Sequence, residues 1–196
     1  MNSFEYPPGA TPLDPDEIEG LRIKHITTRP ELDRWEQDNI QEALAWLEKR
    51  RNKKEIVNPE FVCLLHDKMF SKVWLWSGAF RRSNKNIGIE WQHIPVALRQ
   101  LLDDVNFWIE NKTYSTDEIA FRFHHLLVAI HLFPNGNGRH ARLMADILLT
   151  DIFGQKQFSW GSGNLSGAGE LRKNYITALR AADDHDYRLL EVFVRS

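Results

Sequence analysis

The chain has 196 residues, of which 42% are apolar and 27% charged, with seven tryptophans and eleven phenylalanines. Those values fit one compact domain with a substantial core and exclude a disordered chain. A formal net charge of −2 excludes the basic excess of a phosphate-neutralising nucleic-acid binder, and the single cysteine, Cys63, excludes an intrachain disulfide or a cysteine-rich zinc site.

In chain order, residues 1–20 carry acids and prolines rather than a basic start and an apolar run. No signal peptide is expected there, no stretch has the length of a membrane span, and the expected location is the cytoplasm. Pro7, Pro8, Pro12, Pro15 and Pro30 mark residues 1–30 as an irregular arm before a single domain over 31–196. Leu32, Trp35, Ile40, Ala43, Leu44 and Leu47 recur near helical spacing and predict a helix over 31–53. The run Lys49, Arg50, Arg51, Lys53, Lys54 reads as its solvated cationic end. Asn58-Pro59 opens a second helix, to about Ser71, that buries Val62, Leu65 and Met69, with Cys63 as a small apolar residue. Ile87, Ile89 and Trp91 alternate with Gly88 and Glu90, predicting a short β-hairpin within 74–95.

Helical spacing returns at Leu98, Leu101, Leu102, Val105 and Trp108. Ser115 and Glu118 form a capping box for a helix that is apolar on nearly every side through Ile130, hence central. Phe133-Pro134 stops it, and another apolar helix runs from about Gly138 to a cap at Gly154. Two more helices fit 167–183 and 186–195. The expected fold class is all-α, with one short β-hairpin before the central helix pair.

Between those two helices lies His131-Leu132-Phe133-Pro134-Asn135-Gly136-Asn137-Gly138-Arg139-His140-Ala141-Arg142. Gly136 and Gly138 let the backbone turn sharply and approach a ligand closely. The unpaired amides of the helix start and its dipole make a cradle for anionic oxygens. Arg139 and Arg142, three apart, add two guanidiniums, which suits a polyphosphate better than one carboxylate. His131, at the other edge, has the chemistry to take a proton from an attacking hydroxyl. The kit fits transfer from a nucleotide to a hydroxyl group.

This segment resembles the signature of the Fic family, His-Pro-Phe-x-Asp/Glu-Gly-Asn-Gly-Arg-x-x-Arg. Seven of nine anchors are kept: His131, Phe133, Gly136, Asn137, Gly138, Arg139 and Arg142. Trp76-Ser77-Gly78-Ala79-Phe80-Arg81 is similar to the segment before the family's β-hairpin flap. Thr11–Gly20 and Phe133–Arg142 resemble the subgroup called mobile mystery protein B. The resemblance implies a mostly helical Fic fold and protein adenylyltransferase activity. His131 would deprotonate a Tyr, Ser or Thr hydroxyl that attacks the α-phosphate of ATP. Asn137 and the turn amides would hold the phosphates, with Arg139 and Arg142 on the β- and γ-phosphates. Lys85, Asn86, Ile87, Gly88 and Ile89 would form the flap that holds the target by strand addition. A small helix-turn-helix protein is the implied partner.

Leu132 and Asn135 depart from the signature. Asn135 stands where an acid resembles a ligand of Mg2+, and an amide oxygen is a weaker ligand for that cation. Pro15-Asp16-Glu17-Ile18-Glu19-Gly20 partly matches the inhibitory stretch Ser/Thr-x-x-x-Glu-Gly, which implies that Glu19 reaches Arg142. His124 and His125 read as core or boundary residues rather than zinc ligands, and Trp74, Trp76 and Trp91 as packing under the flap. Two functions stay open: a transferase of AMP, or of a different nucleotide or phosphate group, and a catalytically weak nucleotide-binding module of toxin-like, partner-regulated type.

Overall fold

The computed structural model describes residues 14–53, 55–163, 165 and 169–196. The expectations for residues 1–13, Lys54 and the predicted helix start at 167–168 lie outside the described residues. The helices are α1 (Pro15–Glu19), α2 (Arg29–Lys49), α3 (Pro59–Phe70), α4 (Ile94–Asn111), α5 (Thr116–Ile130), α6 (Asn137–Ile147), α7 (Glu170–Asp183) and α8 (Arg188–Arg195). Leu148–Ile152 continues α6 as a π-helical turn. No described helix is long and apolar enough to cross a membrane.

Side-chain caps set the starts of α2, α3 and α5. Asn58 Oδ1 accepts from the Phe61 amide at 2.8 Å and Pro59 follows, so α3 begins where its sequence says and buries Val62, Leu65 and Met69. Cys63 is half-buried rather than enclosed, and burial pushes its thiol up to about 11. Ser115 caps α5, accepting from the Glu118 amide, but the reciprocal half of the expected box is absent because Glu118 pairs with Arg122 at 2.7 Å. α2 starts earlier than its apolar spacing suggests, since Thr28 and Glu31 form the capping box.

That helix also stops earlier than expected, at Lys49. Arg50 takes extended backbone (φ −67°, ψ 128°), and its guanidinium turns inward to Asp151 at 2.8 Å and over the Phe61 ring. The basic run is therefore not wholly a solvated helix end. α5 is the central element, packed against α4, α6, α7 and α8, with Ala120, Phe123 and Leu127 among its buried residues.

The hairpin is a correction: no strand occurs among the described residues, and the segment before α4 is irregular up to a 3₁₀ turn at Trp91–His93. An isolated antiparallel bridge joins Leu21 to Trp74 instead, so the β pairing lies between the arm and the segment after α3. The reason is local. Gly88 sits at φ +96°, outside strand geometry, and the carbonyls of Ser83 and Ile89 accept from the Arg81 guanidinium rather than from a ladder. In the arm, α1 is laid against the flap: Lys85 Nζ meets Asp14 at 2.8 Å and Glu17 at 2.5 Å. Trp76 Nε1 donates to the Glu17 carbonyl at 2.9 Å.

Candidate active site

His131 ends α5 with φ 59° and ψ 64°, a left-handed conformation unusual for a side chain with a Cβ. It is 5% exposed. Burial pushes its imidazole down to about 4, reinforced by the Arg81 and Lys85 cations and opposed by the Val128 carbonyl. At neutral pH the ring is neutral, with a lone pair to accept a proton.

The turn beyond it leads directly into α6. Gly136 (φ +79°) occupies the N-cap, where a Cβ would come within 2.6 Å of the Phe70 ring. Glycine is required there by both backbone and space. Gly138 is different: it is helical and a methyl would meet nothing closer than 3.7 Å, so its bareness leaves room at the cavity wall. Asn135, Gly136, Asn137, Gly138, Arg139 and Arg142 line one cavity with His131, of about 500 Å³. The first turn of a helix, with its orphan amides and dipole, thus faces the same space as His131.

Asn137 departs from its expected role. Its Oδ1 accepts from the Phe133 amide at 2.9 Å and its Nδ2 donates to the Phe133 carbonyl at 2.7 Å. The side chain latches the turn, and only its backbone remains to meet a phosphate. Asn135 is similarly engaged: its Oδ1 accepts from the Gly136 amide at 2.6 Å and lies 3.5 Å from Arg139 Nη2. A cation at that oxygen would displace an amide and face a guanidinium. No cluster of three or more His, Cys, Asp or Glu side chains suited to a metal occurs among the described residues. These residues do not fit a protein-held magnesium ion.

Arg142 lies over the Tyr175 ring, 5.5 Å from its centroid. Arg139 stacks on Phe70 and meets Glu36 of α2, with Nη1 2.7 Å from Oε2, an ion contact without aligned hydrogen-bond geometry. Glu36 is 1% exposed, and its other oxygen accepts from Trp74 Nε1 at 2.7 Å. Glu19, in contrast, is exposed at the end of α1, and no contact joins it to Arg139 or Arg142 among the described residues. The carboxylate that meets Arg139 is Glu36, while Asp33 and Asp183 line the cavity.

Of the flap residues, Ile87, Gly88 and Ile89 line the cavity. The Lys85 side chain does not present itself to a target, being 3% exposed within its ion pairs to Asp14 and Glu17. Asn86 is exposed. Trp74 and Trp76 stack with centroids 4.8 Å apart, while Trp91 stands at the surface.

Sequence reasoning missed three supports. His66 stacks on Phe133 at 3.7 Å, accepts from the Gly78 amide through Nδ1 and donates from Nε2 to the Asn135 carbonyl. His140 Nε2 donates to the Val62 carbonyl at 2.9 Å. Arg81 is the third. Only the segment spelling Trp76–Arg81 carried a signal for it. Along α5 and α7 the cavity continues past Val128, Ile176 and Leu179 to His125, whose Nε2 lies 2.8 Å from Asp183. His124 is a buried core residue bonded to Tyr175 Oη at 3.1 Å.

Residues 56–149 match the model of the Fic/DOC family, a segment that includes the turn from His131 to Arg142. A protein of Aquifex aeolicus (strain VF5), named a probable protein adenylyltransferase, is 28% identical over 140 residues, which are 67% of this chain. The match spans 39% of that relative's length. The N-terminal FIC domain of Bep8 from Bartonella sp. 1-1C shares the fold with a TM-score of 0.67, 16% identity and 89% of each chain covered. BepC of Bartonella tribocorum, solved with bound AMPPNP, gives 0.63 at 18% identity, covering 88% of this chain and 89% of its own. Fic-1 of C. elegans gives 0.64 at 22% identity, covering 80% of this chain and 46% of its own.

Proposed function

We propose that this Fic/DOC domain is a protein adenylyltransferase, moving AMP from ATP to a Tyr, Ser or Thr hydroxyl of a target protein. The observation that carries the reading is a neutral, buried His131 on the same cavity as the first turn of α6, Arg139 and Arg142. The name of the Aquifex relative and the ATP analogue bound by BepC support the choice of donor.

In this mechanism the triphosphate lies on the amides of 136–138 with Arg139 and Arg142 around it, and the apolar wall of Val128, Ile176 and Leu179 takes the nucleoside. The target hydroxyl enters beside Ile87–Ile89. Its oxygen bonds to the α-phosphorus while His131 takes its proton, and the bond from that phosphorus to the bridging oxygen breaks, releasing pyrophosphate. The bound polyphosphate sets negative charge against the Arg81 and Lys85 cations, which raises the basicity of the ring in the loaded site. Magnesium has no fitting protein ligand set here, and no step runs through it. Membership of the mobile mystery protein B subgroup, with a small helix-turn-helix partner, belongs to the same proposal and rests on the likeness of Phe133–Arg142 and the arm.

Autoinhibition belongs to the same proposal: Glu36 pairs with Arg139 and would hold it back from a phosphate, whereas the exposed Glu19 makes no contact with Arg139 or Arg142 among the described residues. The Glu36 contact, with Asn135 in place of an acid, favours a second reading, a nucleotide-holding module of weak turnover. Incubating the full chain with labelled ATP, CTP, GTP and UTP in lysate tests both. His131→Ala should cut label transfer by roughly 10²–10⁴-fold while leaving nucleotide binding intact. Undiminished transfer by that variant removes the base from the mechanism, and binding without transfer for every nucleotide leaves the module.

A further inference from the structure

Four main-chain carbonyls converge on one buried side chain between the flap and the base. Arg81 is 1% exposed. Its Nε donates to the His131 carbonyl at 2.6 Å and its Nη2 to the Ile130 carbonyl at 3.4 Å, both at the end of α5. On the other side, Nη1 donates to the Ser83 carbonyl at 2.7 Å and Nη2 to the Ile89 carbonyl. Its own amide donates to the Leu132 carbonyl at 3.0 Å.

Two consequences meet here. The last carbonyls of a helix have no partner within it, and those flanking a left-handed residue least of all, so the guanidinium satisfies groups that hold His131 in its unusual conformation. The flap has no ladder, so the same fork fixes its position. Gly88 lies directly against the base: a methyl there would stand 2.5 Å from His131 Cβ and 2.9 Å from Arg81 Nη2.

Resting on the transfer reading above, we infer that Arg81 is a positioning residue, whose one guanidinium sets the register between the flap and His131. A hydroxyl guided by Ile87–Ile89 reaches the ring only while the two segments keep that register. A misplacement of about 1 Å costs on the order of 10²-fold in rate.

Arg81→Lys keeps the cation but offers one donor atom, which cannot bridge both segments. It should lower transfer about 100-fold while nucleotide Kd changes less than about threefold, because the cradle is untouched. Arg81→Gln should lower transfer equally and also move the acid limb of the rate to higher pH. Its His131 then keeps only Lys85 as a neighbouring cation, itself paired with Asp14 and Glu17. The nuclear Overhauser contact between Gly88 Hα and His131 Hβ, expected in the parent, should vanish in both variants, whether or not any transfer is detected. Gly88→Ala, with Arg81 intact, should reproduce the loss of transfer with nucleotide still bound. Overturning results are an Overhauser contact that survives in Arg81→Lys, transfer within threefold of the parent, or nucleotide binding lost together with transfer. The last would make Arg81 a residue of the core. If His131→Ala also transfers normally, the transfer reading fails as well; if it alone loses transfer, only the role of Arg81 falls.

Discussion

The turn from His131 to Arg142 is braced by the core behind it, whereas the flap from Arg82 to Glu90 hangs on the side chains of Arg81 and Lys85. His66, His140 and Phe133 are buried behind the cradle, and Asn137 closes the turn on its own backbone. The flap has no strand partner among the described residues, and of its side chains the half-buried Ile89 packs against the core. A phosphate cradle has to keep its amides fixed before the ligand arrives, since preorganised donors cost no rearrangement during reaction. A docking edge has to accept varied target segments. Dense apolar packing suits the first task, and a few polar ties suit the second.

That contrast is sharpest in stability. His66→Ala removes a fully buried ring and leaves the Gly78 amide and Asn135 carbonyl without their partner, so it should destabilise by about 3 kcal/mol. Lys85→Met, on the flap side, leaves Glu17 at 13% exposure without its cation, but it should cost less, because Asp14 keeps water at 44% exposure and α1 is short. Denaturant midpoints of the two variants decide the matter. Equal losses would mean that the flap is as deeply embedded as the cradle.

Acid should act through the cradle as well. Burial holds His66 and His124 well below the ordinary histidine value of 6.5, and His131 and His140 at about 4. Unfolding lets each take a proton below pH 6.5 that the native form refuses until about its own lowered value. Stability is therefore full above 6.5 and falls as the pH drops toward 4. At pH 5, His131 and His140 each contribute a loss of about 2 kcal/mol. Asp146 opposes this: burial raises it to about 6, so the native form gains a proton first and is favoured as the pH falls through that value. Three of the four histidines belong to the cradle side. Denaturation at pH 7.5 and pH 5 should differ by several kcal/mol. Equal stability at the two values would mean that these rings are charged in the native protein.

The sequence was most legible where the causes of structure are close in the chain. Asn58-Pro59 and Ser115 cap their helices, and the glycines between His131 and Arg142 mark the turn that leads into α6. It was least legible where the cause is remote. The alternation of Ile87, Ile89 and Trp91 suggested strands, but Arg81 and the left-handed Gly88 decide that backbone. The end of α2 depends on Asp151, 101 residues beyond Arg50. The family resemblance implies a phosphate role for Asn137, yet the Phe133 backbone four residues back holds its side chain. Glu19 carried the motif, while the buried Glu36 looks in the sequence like any polar residue of an amphipathic helix.

The smallest predicted effect concerns that last pair. Glu36 Oε2 lies 2.7 Å from Arg139 Nη1, and its carboxylate has almost no water around it, so on the proposed function a nucleotide phosphate would compete with it for the same cation. Glu36→Gln keeps an oxygen for Trp74 Nε1 and removes the negative charge. The freed guanidinium should then raise ATP affinity by about tenfold, near 1.4 kcal/mol, at some cost in stability. Because both groups are largely shielded, added salt should shrink the gain only modestly. Glu19→Gly, on the exposed end of α1, should leave affinity within about twofold. Calorimetric titration of both variants with a non-hydrolysable ATP analogue separates the outcomes. Weaker binding by Glu36→Gln would mean that the carboxylate aims Arg139 at the phosphate instead of withholding it. A large gain from Glu19→Gly would return the inhibitory role to the arm.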